Sequence, residues 1–197
     1  MTAENKKRIA IIGGGPSGLF MYKRLVESGK NNFEVEIFER KAQLGSGMPY
    51  SSEGANNEHI TNVSGNEIPD IVIPMSEWVH TAPVELLERF KIDPNKFNDY
   101  KVFPRLFFGE YLAAQFEMLI EAGSKAGISS EIHFESVVAD IKYDAKSDTI
   151  ELETEEGEIK VFDSVVICTG HNWPRTHEGK IPGYYDAPYP PQKLVQK

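Results

Sequence analysis

The chain has 197 residues, 40% of them hydrophobic and 26% charged, which is ordinary for a soluble globular protein with room for one domain and a large insertion. Thirty acidic residues against 21 basic ones give a formal net charge of −9, and no basic run occurs, so a nucleic-acid or anionic-membrane surface is excluded. Cys168 is the single cysteine, which rules out a disulfide within the chain and points to a reducing cytoplasm.

Ile9–Ile12 is a short apolar run rich in β-branched residues. It is too short for a signal peptide or a membrane span, and reads as a parallel strand buried on both faces. Gly13-Gly14-Gly15-Pro16-Ser17-Gly18 follows, and then a helical pattern with Leu19, Tyr22, Leu25 and Val26 on one face. Ser28-Gly29 ends that helix, and Phe33–Phe38 alternates like a strand with one protected face. Strand, tight turn, helix and strand make one βαβ unit.

From residue 40 to about 103 the sequence is irregular, with helical promise only at Met75–Arg89. Pro104 suits a first helical position, and a helix is expected over Arg105–Glu121, ending at Ala122-Gly123. Phe103, Phe107, Phe108 and Phe116 read as its apolar face. Ile132–Phe134 is a short strand. Val137–Tyr143, Thr149–Thr154 and Ile159–Phe162 form an antiparallel meander, whose acidic stretch Glu151–Glu158 reads as a solvated hairpin. Val165–Cys168 is a second buried parallel strand, ending at Thr169-Gly170, and the prolines beyond it forbid long regular elements.

The six residues from Gly13 to Gly18 fit G-x-G-x-x-G between a buried strand and a helix, the context in which that pattern carries meaning. Gly13 permits the sharp turn, Gly15 lets the backbone approach a pyrophosphate, and Gly18 lets the helix pack closely on the strand. Pro16, which lacks an N–H, suits the first turn, and the helix aims the N–H groups of Ser17 and its neighbours at the phosphates. Glu39 closes the second strand, where an acid accepts hydrogen bonds from a ribose diol and repels a 2′-phosphate; Arg40 offsets that repulsion in part. These residues predict a bound dinucleotide.

Glu39-Arg40 with Gly45 and Gly47 resembles the E-R-x4-G-x-G extension of two-dinucleotide flavoproteins, and a meander before Cys168-Thr169-Gly170 is similar to theirs. Gly47-Met48-Pro49-Tyr50, Glu58–Val63, Phe107–Leu112 and Ala187–Pro190 resemble the FAD-NAD(P)-binding family of bacterial flavoproteins, distant relatives of flavin monooxygenases and N-hydroxylases. The resemblance implies an α/β, Rossmann-like FAD-binding domain over 1–197 with an antiparallel β-meander and an insertion at about 48–103. It implies FAD as cofactor, with the adenine flanked by backbone near Val138, and Gly47, Met48, Thr169 and Gly170 near the isoalloxazine. In such enzymes a second glycine motif for NAD(P)H follows the Pro-Tyr-Pro segment. None occurs before Lys197, so the chain reads as the N-terminal portion of a longer oxidoreductase that acts on an unidentified small molecule.

Other residues leave alternatives open. His171 faces the flavin or serves a turn; Asn62 and Arg105 bond cofactor or satisfy loop backbone. Trp78 and Trp173 fit core packing better than ring stacking. The histidines show no metal spacing, with His133 isolated in sequence, and Cys168 reads as an inert buried thiol. No catalytic acid, base or nucleophile stands out. The rival readings are a non-catalytic nucleotide-binding or interaction module and an NAD-dependent dehydrogenase domain.

Overall fold

The computed structural model describes residues 6–171, 177, 179–184 and 186–192, so Trp173 lies outside the described residues. The chain divides into two compact units, residues 1–45 with 113–169 and residues 46–112 with 170–197.

The first unit is built on a four-stranded parallel sheet of β1 (Lys7–Ile12), β2 (Phe33–Glu39), β3 (Ser129–Phe134) and β7 (Ser164–Ile167), in the order β3-β2-β1-β7. Helix α1 (Pro16–Glu27) joins β1 to β2, and Gly29 follows it with φ +67°. The meander is β4 (Val138–Asp144), β5 (Thr149–Thr154) and β6 (Ile159–Phe162). Its inward residues Leu152 and Phe162 pack with Ala10, Ile12 and Phe38 of the sheet in one apolar cluster.

Two strands differ from the sequence reading. β2 is covered on both faces, because it is central in the sheet and the meander packs on the side that carries Glu36; only Glu34 along it is exposed. β7 is parallel as expected but not buried. Among the described strands it pairs only with β1, and Ile167 is 60% exposed.

Helix α4 (Arg105–Lys125) begins in the second unit and ends in the first. It runs straight through Gly123, the position expected to stop it. The stop is a Schellman turn at Gly127 (φ +85°), where Gly127 N–H bonds Ser124 O and Ile128 N–H bonds Gly123 O. Gly123 has a packing task instead. A Cβ there would lie 2.3 Å from the hydroxyl oxygen of Tyr22, a fully buried residue of α1 that also bonds Ser130 Oγ at 2.7 Å. A Gly→Ala change inside an exposed helix gains about 1 kcal/mol. Gly123→Ala is expected to lose roughly 1–3 kcal/mol by overpacking, read as a lowered Tm, and Tyr22→Phe in the same chain to recover part of it.

In the second unit Met75–Arg89 is not one helix. α2 (Met75–Trp78) and α3 (Val84–Phe90) are separated at Pro83, which lacks an N–H and disfavours helical backbone in the residue before it. Trp78 packs against Phe107 and Tyr111, with ring centroids 5.4 Å away in both cases, so it belongs to the core. Phe103 precedes α4 rather than lying on its face; it stacks on Phe97 at 5.0 Å. No helix is long and apolar enough to cross a membrane, among the described residues.

Candidate functional site

The parallel register places the carboxyl ends of β1, β2, β3 and β7 along one edge, where ligands of open α/β sheets gather. Backbone hydrogen bonds tie the loops leaving that edge together. Gly13 N–H bonds Phe38 O at 2.8 Å, Cys168 N–H bonds Ile12 O at 2.7 Å, and Gly45 N–H bonds Gly14 O at 2.7 Å. Ser136 N–H reaches Glu39 O at 3.0 Å and Glu135 N–H reaches Lys41 O at 3.1 Å.

Within this frame Gly13 has φ +100°, and a Cβ on Gly18 would lie 2.2 Å from Gly13 O, so the turn and the helix start are pressed together. Gly15 is the N-cap of α1 and Pro16 its first residue. The cap has no side-chain acceptor and the first turn no acidic residue. The first intrahelical bond is Leu19 N–H to Gly15 O, and the N–H groups of Ser17 and Gly18 find no acceptor among the described residues. Gly18 is buried, so its orphan donor has a cost unless something bonds it. A free helix N-terminus with orphan donors fits an anionic group such as a pyrophosphate.

Glu39 sits at the same turn. Its carboxylate accepts the Gly14 N–H at 2.7 Å and the Lys41 N–H at 3.0 Å, and the residue is buried. Two amides aim it and leave lone pairs of both oxygens available for a diol. Arg40, next in sequence, is exposed. Val138 opens β4 and packs against the Ala10–Ile12–Phe38 cluster. Thr169 follows β7 directly after Cys168, whose thiol is half-buried rather than buried and is pushed up by desolvation, a state that suppresses the reactive thiolate. Sequence reasoning missed Leu44 and Ser136 as parts of this edge. Leu44 Cδ2 would lie 2.3 Å from a Cβ on Gly14, a contact no motif records.

The remaining expected residues belong to the second unit. Gly47 has φ +56°, and Met48 O accepts both N–H and O–H of Ser51. Asn62 is exposed, and its amide makes no hydrogen bond among the described residues. Arg105 Nε donates to Ile60 O at 2.9 Å, so at least part of its guanidinium serves loop backbone. Gly170 has φ +72° and His171 is exposed.

His133 is isolated in sequence but not in space. Its Nε2 lies 2.8 Å from Glu36 Oε2, and Glu36, Glu131 and His133 bring ligand atoms within 4.8 Å of one another. Both oxygens of Glu36 are already engaged. Arg8 donates to Oε1 at 2.7 Å and Lys160 to Oε2 at 2.9 Å. The group is a charge network joining β1, β2 and β3 to the meander.

Residues 10–172 match the FAD-NAD(P)-binding family. The chain belongs to that family. Among related proteins, it is 28% identical over 183 residues to the uncharacterized protein YdhS of Escherichia coli, covering 93% of this chain and 34% of that protein. It is 30% identical over 180 residues to a thiol-specific monooxygenase of Saccharomyces cerevisiae, covering 87% of this chain and 35% of that enzyme. Its fold is similar to part of cyclohexanone monooxygenase in an open crystal structure, with a TM-score of 0.54, 14% identity, and coverage of 87% of this chain and 30% of the other. This FAD-NAD(P)-binding chain thus spans about a third of the length of the relatives it matches.

Proposed function

We propose that this chain is the FAD-holding part of a flavin-dependent, NAD(P)H-using oxidoreductase of the monooxygenase type. The observation that carries the reading is the orphan N–H pair at the start of α1, set beside the amide-aimed carboxylate of Glu39 at the carboxyl edge of the sheet. Gly13, Gly15, Pro16, Ser17 and Gly18 would cradle the pyrophosphate, with donors from the helix start. Glu39 would accept the ribose hydroxyls, with Arg40 at the rim and the backbone near Val138 beside the adenine. Gly47, Met48, Asn62, Arg105, Thr169, Gly170 and His171 are assigned to the flavin end. The carboxylate disfavours a 2′-phosphate here, so NADP(H) would use another site. FAD supplies the redox chemistry, and these residues supply grip and orientation.

Oxidation of NAD(P)H and of a small-molecule substrate is assigned to a protein of the relatives' full length. The cytoplasm is the compartment this reading gives it, on the strength of its single cysteine.

Titration of the 197-residue chain with FAD, followed by quenching of flavin fluorescence, is expected to show saturable binding that ADP-ribose competes away. Glu39→Gln is expected to weaken FAD about 10-fold or more, the worth of a hydrogen bond to a charged group. Failure of both FAD and ADP-ribose to bind would overturn the proposal. ADP-ribose binding as tightly as FAD would favour a nicotinamide dehydrogenase domain instead.

A further inference from the structure

A cavity of about 510 Å³ lies wholly within the second unit, between the loop 52–58, helix α3 and the start of α4. That volume falls in the range of small-molecule sites. Its walls carry one positive and one negative side chain, Arg89 and Glu58, together with the apolar Ala55 and Leu106. The two charges form no salt bridge with each other among the described residues, and the nearest other ionisable group to Glu58 is His59. Neighbouring amides hold them instead. Asn57 Oδ1 accepts from Arg89 at 2.9 Å, and Asn56 Nδ2 donates to Glu58 at 3.2 Å. Asn56 is itself fixed, because its N–H bonds His59 Nδ1 at 2.8 Å. Gln192 closes one side, its amide on Ser52 O at 2.8 Å. Arg89 thus spends one of its five N–H donors on the protein, and the Glu58 carboxylate accepts from Asn56 and from its own backbone N–H, with lone pairs left over.

An anion entering this cavity gains at Arg89 but is repelled by Glu58, and a cation meets the reverse. A molecule carrying both charges on a short skeleton satisfies both walls and can lay an apolar portion on Ala55 and Leu106. We propose that the cavity is a binding site for a small zwitterion of the free amino-acid type, its carboxylate on Arg89 and its ammonium on Glu58. The site stands on the second unit alone and does not depend on the dinucleotide reading.

Isothermal titration of the full chain with L-leucine and L-glutamine tests it, alongside leucine methyl ester, which lacks the carboxylate, and N-acetylleucine, which lacks the ammonium. A free amino acid is expected to bind at least tenfold more tightly than either blocked form. Arg89→Gln is expected to weaken leucine and N-acetylleucine and to leave the ester unchanged. Glu58→Gln should weaken leucine and the ester and leave N-acetylleucine unchanged. Both side chains are exposed, so both variants should fold, and FAD binding recorded on the same samples separates loss of this site from loss of the dinucleotide site. No saturable binding of either amino acid, or equal binding of the blocked forms, would overturn the proposal.

Discussion

Gly13→Ala is expected to cost the first unit roughly 3–5 kcal/mol and to abolish dinucleotide binding in the same step. Two independent effects add at this position. The backbone stands at φ +100°, outside the region an alanine adopts, and that strain alone costs on the order of 1–3 kcal/mol. The added Cβ would also lie 2.4 Å from the carbonyl oxygen of Cys168 and 2.8 Å from its carbonyl carbon. Both are backbone atoms of the segment leaving β7, and Cys168 N–H is bonded to Ile12 O, so the segment cannot yield without parting β7 from β1. Gly29 is the control. It too has positive φ (+67°), but a Cβ there would meet nothing within 4 Å, so Gly29→Ala isolates the strain and is expected to cost only about 1 kcal/mol. Urea denaturation of the two variants, with FAD titration of each, checks the argument. Equal losses would show that the close approach to Cys168 carries no weight.

What the sequence made legible was local. The run Ile9–Ile12, the glycines and Glu39 announce themselves because β1, the turn, α1 and β2 are consecutive, and each obeys a short-range rule of burial, φ or capping. The meander was legible for the same reason: its turns are short and polar. What stayed hidden depends on residues far apart in the chain. Gly123 looks like a helix stop until Tyr22, about a hundred residues earlier, is seen pressed against it. The exposure of β7 follows from its place at the sheet edge, which no apolar run encodes. β2 looks half-protected in sequence because Glu34 and Glu36 alternate with apolar residues, yet Glu36 is buried through partners at positions 8, 133 and 160. The site divides in the same way. The glycine turn and the acid that closes β2 were readable from spacing, while the orphan donors of Ser17 and Gly18 and the amide clamp on Glu39 emerge only from coordinates.

The Glu36 network yields the second large effect, and it is one of pH as well as of mutation. Burial alone would raise this carboxyl, but hydrogen bonds from Lys160, Arg8 and His133 outweigh it and hold the pKa at about 2, below the ordinary 4.5. A folded pKa below the unfolded one contributes stability that is fully present above about pH 4.5 and is lost as pH falls toward 2, here on the order of 3 kcal/mol. Lys160 works at the other end of the scale. Its own desolvation would lower its pKa, Glu36 raises it further, and its share is lost only as pH climbs past the ordinary lysine range. Glu131 and Glu158 also face the group, 3.8 Å from His133 and 3.6 Å from Lys160, and they soften the excess of positive charge that a loss of Glu36 would leave. Glu36→Gln therefore strands the cations of Arg8 and Lys160 beside the rings of Phe38 and Phe162, where His133 stacks at 4.5 Å and Arg8 lies 4.8 Å from the ring centroid. The expected loss near neutral pH is roughly 2–4 kcal/mol, below that of a fully enclosed pair because the Arg8 side chain is 41% exposed. Urea denaturation at about pH 7 and about pH 3 should show the gap between wild type and variant narrowing with acid, because below about pH 4.5 the unfolded chain protonates Glu36 while the folded chain still holds it ionised, a cost the glutamine variant does not share. A double variant with Lys160→Met should lose less than the sum of the single losses, since each change removes the partner the other would have stranded. A gap independent of pH, together with strict additivity, would mean that the network has no electrostatic weight and that the meander is held to the sheet by Leu152 and Phe162 alone.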